Sequence, residues 1–197
     1  MTEKVYVVPA YALQEITRDS VIAALSTGYF YERDKAETNE NLKQIIPYVT
    51  VTRFDGKILA YKRSKKAGEG RLHNKWSIGF GGHVNPIDLQ GVAKDEFSFF
   101  AAINRELTEE LEWGDKLAEN GLVLTLDKVI YDDSNEVGRV HLGLAFSVIL
   151  QGYYGDEDPK IGDDEIAELK WVTVEEALEL ENLENWSKLA LNKTVYE

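Results

Sequence analysis

A chain of 197 residues with 44% hydrophobic side chains suits one domain of ordinary size with its own core. Its formal charge of -13 and pI near 4.7 exclude coating of a nucleic acid duplex, which needs a positive footprint, but leave room for a phosphorylated small molecule held through a cation. The absence of cysteine excludes disulfides, thiolate zinc sites and a thiol nucleophile, and no run approaches the ~18 apolar residues of a membrane span. The amino terminus is too short and interrupted for a signal peptide, so a cytoplasmic protein without a membrane partner is the expectation.

In chain order, Val5 to Val8 form an apolar run stopped by Pro9, and a short helix is predicted around Val21 to Leu25, with Thr17, Asp19 and Ser20 as potential caps. Residues 31 to 43 are polar and read as a connecting loop. Residues 1 to 44 are therefore expected to be an extension packing on a main domain of residues 45 to 197, and they could also build a homodimer interface. Ile45 to Thr52 and Ile58 to Tyr61 are β-rich runs around the turn Phe54-Asp55-Gly56-Lys57, which predicts a hairpin. Residues 62 to 75 hold six of the chain's 22 basic residues. Arg63, Lys65, Arg71 and Lys75 are candidates for holding phosphates by charge-assisted hydrogen bonds, and the alternative is a solvated loop. His73 reads as a loop hydrogen-bonding residue rather than a metal ligand.

Trp76 to Val84 reads as a strand carrying three glycines, Gly79, Gly81 and Gly82, where backbone approaches something closely or bulges. After a loop over residues 85 to 95, a helix is predicted from about Phe97 to Glu112. Its apolar stripe is Phe100, Ile103, Leu107 and Leu111, and its other side bears Glu106, Glu109 and Glu110 at i, i+3 and i+4. Three carboxylates within reach of one point are hard oxygen ligands suited to Mg²⁺ or Mn²⁺. A solvated acidic face is the plainer reading of the same acids.

Leu122 to Tyr131 and Val140 to Leu150 read as strands, the second buried on both faces, with a turn at Asp132 to Asn135 between them. Gly152 to Gly162 is an acidic loop and Glu168 to Val172 a short strand. Thr173-Val174-Glu175-Glu176 is a capping box opening one final helix, with Ala177, Leu178, Leu180, Leu183 and Trp186 on its buried side. Strand-rich segments with a central and a terminal helix predict an α/β (α+β) sandwich with a mixed sheet.

Gly81-Gly82-His83-Val84 followed by Arg105-Glu106-Leu107-Thr108-Glu109-Glu110 resembles the signature of the Nudix hydrolases, the MutT-like phosphoesterases, over roughly residues 44 to 190. The resemblance implies an α/β/α sandwich with a loop-helix-loop metal site. The stretch from Gly82 to Arg105 is nine residues longer than the family pattern, and counting back from Arg105 puts Phe97 where a glutamate is expected. Glu112 stands where the pattern has a glycine.

Carried over by position, Glu106, Glu109 and Glu110 resemble the ligands of Mg²⁺ (or Mn²⁺), and a main-chain carbonyl at Gly81 or Gly82 completes the set. Arg105 resembles the arginine that braces a box glutamate. Glu165, with Asp163 and Asp164 as competitors, is the candidate for a carboxylate supplied by a later loop, and Glu109 or Glu165 for the general base. The implied activity is Mg²⁺-dependent hydrolysis of a pyrophosphate bond in a nucleoside diphosphate derivative. The alternative is a Nudix-fold sensor that binds a nucleotide without turnover. An isomerase of the same fold is disfavoured because that chemistry uses a cysteine.

Overall fold

The computed structural model describes residues 2–66, 70–91, 99–112, 124–150 and 160–192, with Arg71 and Leu124 described by backbone alone. The first unit is β1 (Lys4–Pro9), α1 (Arg18–Leu25), β2 (Tyr29–Glu32) and α2 (Arg33–Ala36). It is followed by β3 (Leu42–Thr52), β4 (Ile58–Arg63), β5 (Trp76–Ser77), β6 (Gly79–Phe80) and α3 (Phe100–Glu110). The last part contains β7 (Leu124–Ile130), α4 (Glu136–Val140), β8 (His141–Ile149), β9 (Ile166–Val172), α5 (Val174–Leu178) and α6 (Asn185–Leu191). No helix among the described residues is long and apolar enough to cross a membrane.

The long strand β3 organises one mixed sheet. Along one edge it pairs in parallel with β8 from Gln44↔His141 to Thr52↔Ile149. Along the other it pairs antiparallel first with β1 and then with β6. The hairpin expected between β3 and β4 is present but narrow, because the two strands meet only at Thr52↔Ile58 and β4 then runs beside β9. The parallel β3–β8 pair is buried on both faces, as the nearly continuous apolar run of β8 requires. Strand alternation sends Ile45, Val49, Leu144 and Phe146 to the face covered by α1 and α3, and Tyr48 and Ala145 to the face covered by α6. The result is a helix–sheet–helix sandwich.

Ahead of β3, the chain contributes β1 and β2 to the same sheet and Tyr6, Val8, Val21 and Leu25 to the main core. Thr17 caps α1 through a capping box with Ser20. Residues 31 to 43, expected to be a loop, instead hold the end of β2, the short α2 and the start of β3. Tyr31, whose ring packs on a small cluster around Val5, Val7 and Leu42, supplies the apolar contact that polar composition had masked.

The single final helix is also corrected. The first helical stretch ends at Leu178, and Asn182, four residues on, adopts a φ of 59°, a left-handed turn. Trp76 and Glu184 then exchange backbone hydrogen bonds with the turn, in which Trp76 N donates to Asn182 O and Glu184 N to Trp76 O. Pairing with β5 thus interrupts the helix, and Leu178, expected to be buried, is 53% exposed. Helix α3 ends at Glu110, two residues earlier than predicted, and Ile103, Leu107 and Leu111 are buried with Phe100 packed against them.

Candidate active site

A cleft of about 660 Å³ opens over the sheet face bearing Ile46, Tyr48 and His141. Its size suits a small ligand, within the range of ~300–1,000 Å³ typical of such sites. Glu106, Glu110, Glu165, Arg63 and Lys75 line one end, together with Gly81 and Gly82.

The two glycines serve different purposes. Gly81 has a φ of 154°, and a Cβ there would lie 1.9 Å from the carbonyl oxygen of Pro47, so side-chain-free backbone is required to pass β3. At Gly82 a Cβ would lie 2.6 Å from Glu106 Oε1. The carboxylate of Glu106 is therefore laid against bare main chain, a cradle that any side chain would fill.

Arg105 braces this arrangement. Its Nε and Nη2 donate to the two oxygens of Asp88 at 3.1 and 3.0 Å, Nη2 also donates to the carbonyl of His83 at 2.9 Å, and Nη1 donates to Glu106 Oε1 at 2.7 Å. Asp88, whose side chain is 3% exposed, raises the pKa of the guanidinium. Asp88 also accepts from the backbone N–H of Asn85 at 2.7 Å, which ties the loop to the helix. Counting forward from Gly82 rather than back from Arg105 finds this residue, six positions on, where the family pattern places its first glutamate. The extra length therefore falls after residue 88. Phe97, to which the backward count led, lies outside the described residues.

Glu110 is the acid turned inward. Its Oε2 is buried with no hydrogen-bond partner, and burial raises its carboxyl pKa to about 8, with Arg63 opposing and Glu106, Glu165 and Asp163 adding to the rise. Burial also raises Glu106, against the pull of Arg105. The carboxylate of Glu109, by contrast, is 56% exposed and touches Arg105 at 3.4 Å, outside the cleft lining.

Glu165 reaches the cleft because its loop docks on the end of α3. Gly162 N donates to Glu110 O at 3.0 Å, Glu112 N to Lys160 O at 3.2 Å, and Ser64 N to Glu165 O at 2.7 Å. A Cβ on Gly162 would lie 2.9 Å from the Glu112 nitrogen, so this docking also depends on a glycine. Asp163 instead caps the Glu165 backbone N–H, and Asp164 pairs with Lys66 on the surface.

The basic candidates separate. Arg63 is mostly buried, with Nε donating to Glu184 Oε1 at 2.6 Å, so it supplies a fixed positive charge beside Glu110. Lys75 lines the cleft, Lys65 is exposed and does not, and the Arg71 side chain lies outside the described residues. Asp88 and Glu184 were not singled out from sequence, nor were Glu37, His83 and His141, which gather at the other end of the same cleft.

The carboxylate end fits a hard divalent cation. It offers an orphaned buried oxygen on Glu110, a second carboxylate pressed on bare backbone, and a third from the docked loop, with no nitrogen or sulfur donor among the three.

The NUDIX domain family model matches residues 43–193. YmaB of Bacillus subtilis strain 168 is 35% identical over 163 residues, covering 81% of this chain and 75% of YmaB. The crystal structure of Tm1382, provisionally named a Nudix hydrolase, superposes with a TM-score of 0.69 at 27% identity and covers 96% of each chain. The NUDIX domain of Shewanella oneidensis NrtR, solved with ADP ribose, shares the fold at a TM-score of 0.53 and 14% identity, over 89% of this chain and 95% of that one. With the domain match, the helix-borne carboxylates and their arginine brace all in place, the chain belongs to the Nudix family, as a pyrophosphohydrolase.

Proposed function

We propose that the protein is a Mg²⁺-dependent hydrolase that cleaves the pyrophosphate bond of a nucleoside diphosphate linked to another moiety. The observation that carries this reading is the unpartnered, buried Oε2 of Glu110 at the head of a cleft also lined by Glu106 and Glu165. Glu106, Glu110, Glu165 and the carbonyl of Gly82 would hold the metal, with Glu109 joining them from outside the cleft by a rotation of its side chain.

Bound there, Mg²⁺ would neutralise phosphate oxygens and ease ionisation of water. Arg105, itself held by two hydrogen bonds to Asp88, keeps Glu106 in place, so its role is positioning. Lys75 is placed to hold a phosphate at the rim, and the Arg63 charge offsets the crowd of acids. Glu165 is better placed than Glu109 to accept the proton of the attacking water, because it lines the cleft. Tyr48 and Trp186 on the cleft wall offer apolar surface to the group beyond the phosphates. ADP ribose is held by the NrtR domain of this fold, which makes ADP-ribose-like compounds one reasonable class to try.

A screen of nucleotide sugars, dinucleotide polyphosphates, ADP-ribose-like compounds and nucleoside triphosphates with Mg²⁺ tests the proposal. Release of a nucleoside monophosphate or pyrophosphate well above a Glu110→Gln control is expected for at least one class. Binding by any of them without metal-dependent product would favour the sensor reading instead.

A further inference from the structure

At the end of the cleft opposite the carboxylates, Glu37, His83 and His141 bring one ligand atom each to within 4.8 Å of one another. They come from three separate places: Glu37 follows α2, His83 follows the glycine pair, and His141 opens β8. The backbone fixes them there, since β3 and β8 pair Gln44 directly with His141 and alternation turns both to the cleft face.

The hydrogen-bond contacts of the group fix the tautomer of one imidazole. His141 Nδ1 faces the carbonyl oxygen of Val137 at 2.7 Å, which can only accept, so Nδ1 carries the proton and Nε2 presents a lone pair. That Nε2 stands 3.4 Å from His83 Nε2, which also meets Gln44 Oε1 at 2.9 Å and Glu37 Oε1 at 4.0 Å. His83 Nε2 thus has two hydrogen-bond neighbours, with the Glu37 carboxylate just beyond them. The Gln44 amide nitrogen beside them is buried without a partner, although Gln44 is fully buried.

The geometry points to a second divalent-metal site, built from Nε2 of His83, Nε2 of His141 and a carboxylate oxygen of Glu37, for a borderline transition ion of the Zn²⁺ kind, with an open position facing the cleft. In a tetrahedral zinc site with bonds of about 2.0–2.1 Å, two ligand nitrogens stand roughly 3.3–3.4 Å apart. The two histidine nitrogens are already at 3.4 Å, whereas the Glu37 oxygen, 4.0 Å from His83 Nε2 and within 4.8 Å of the His141 ligand atom, closes in by a small rotation of its side chain. The Nδ1 bond of His141 to Val137 is the outer contact that holds a metal-binding imidazole in its tautomer and orientation. Loading moves the His83 proton from Nε2 to Nδ1. Arg33, 3.5 Å from Glu37, competes for that carboxylate and moderates the affinity. Imidazole nitrogen favours zinc, copper, nickel or iron over Mg²⁺, so the two ends of one cleft select different ions. The open position lies where a phosphate oxygen of a bound ligand or a water completes four-coordination.

Untagged full-length protein, stripped with chelator, is titrated with Zn²⁺ by calorimetry and with Co²⁺ by visible absorption. The wild type and Glu110→Gln are expected to bind one equivalent, with the intense cobalt bands of a four-coordinate site, and excess Mg²⁺ to leave this binding intact. His141→Ala, His83→Ala and Glu37→Gln are expected to weaken it by about a hundredfold. Glu37 is partly exposed and lies just after α2, so Glu37→Gln decides the matter if a histidine variant fails to fold. No zinc bound by the wild type, wild-type affinity in all three variants, or loss of zinc in Glu110→Gln would each overturn the inference.

Discussion

The two ends of the cleft are built on opposite plans. At the carboxylate end, Arg105, Glu106 and Glu110 come from one helix, and Asp88 and Glu165 come from loops pinned to it. At the histidine end, each of Glu37, His83 and His141 comes from a different part of the chain. The first end is held by charge: Arg105 is spread over Asp88, Glu106 and the His83 carbonyl, and Arg63 stands against Glu110. The second end relies on strand register. The comparison teaches that a compact motif sets one half of this cleft and the topology of the sheet sets the other, with His83, next to Gly82, at the seam.

The largest effect expected is on turnover. Glu110→Gln should lower the rate with Mg²⁺ by about a hundredfold or more while leaving Zn²⁺ binding at the histidine end unchanged. Because it removes a buried carboxylate with an unpartnered oxygen, the same variant should melt at or above the wild-type temperature in the absence of metal. Equal turnover in the two proteins would break the division between the ends.

Adjacent glycines sharpen it next. Gly81→Ala puts a Cβ against the Pro47 carbonyl and should cost about 3 kcal/mol of stability in a denaturant titration. Gly82→Ala meets only the far end of the Glu106 side chain, so stability should change by less than about 1 kcal/mol while activity falls at least ~tenfold. Similar losses of stability in both would show that Gly82 serves folding rather than the site.

Asp88→Asn keeps the size of the side chain but removes the charge that Arg105 grips. A loss of about 2 kcal/mol in stability and about tenfold in kcat is expected, with KM changing less. An unchanged kcat would mean that Glu106 holds its place without the brace.

The most gradual effect is a pH slope. Burial raises the Glu110 carboxyl from 4.5 to about 8, so the folded chain binds this proton more tightly than the unfolded one. The stability it contributes is fully present below the unfolded value of 4.5 and is lost as pH rises toward about 8. Without divalent cations, the denaturant midpoint of the wild type should therefore fall relative to Glu110→Gln across that window, and Mg²⁺ should flatten the difference. A difference independent of pH would contradict the burial of the charge.

What was legible in the sequence follows the same division. The acids of α3 were legible because i, i+3 and i+4 spacing is a local rule, and Thr17 and Thr173 announced helix starts for the same reason. Asp88 was within reach too, but only by counting from the glycine that precedes the lengthened loop. The exposure of Glu109 was not legible, since helical spacing says which side an acid is on and not how far the cleft extends. Glu37, His83 and His141 were illegible because their meeting depends on the parallel register of β3 and β8, which no local pattern states. The split of the last helix escaped for a similar reason, as Asn182 turns there to let the chain pair with Trp76.

Mg²⁺ calorimetry on chelator-treated protein tests the carboxylate end most directly, because it needs no knowledge of the substrate. The wild type and Glu37→Gln should bind Mg²⁺ alike, and Glu110→Gln should lose most of that binding. Equal binding by Glu110→Gln, or no Mg²⁺ bound by the wild type with or without a nucleoside diphosphate present, would contradict the assignment of this end as the metal site of the hydrolase.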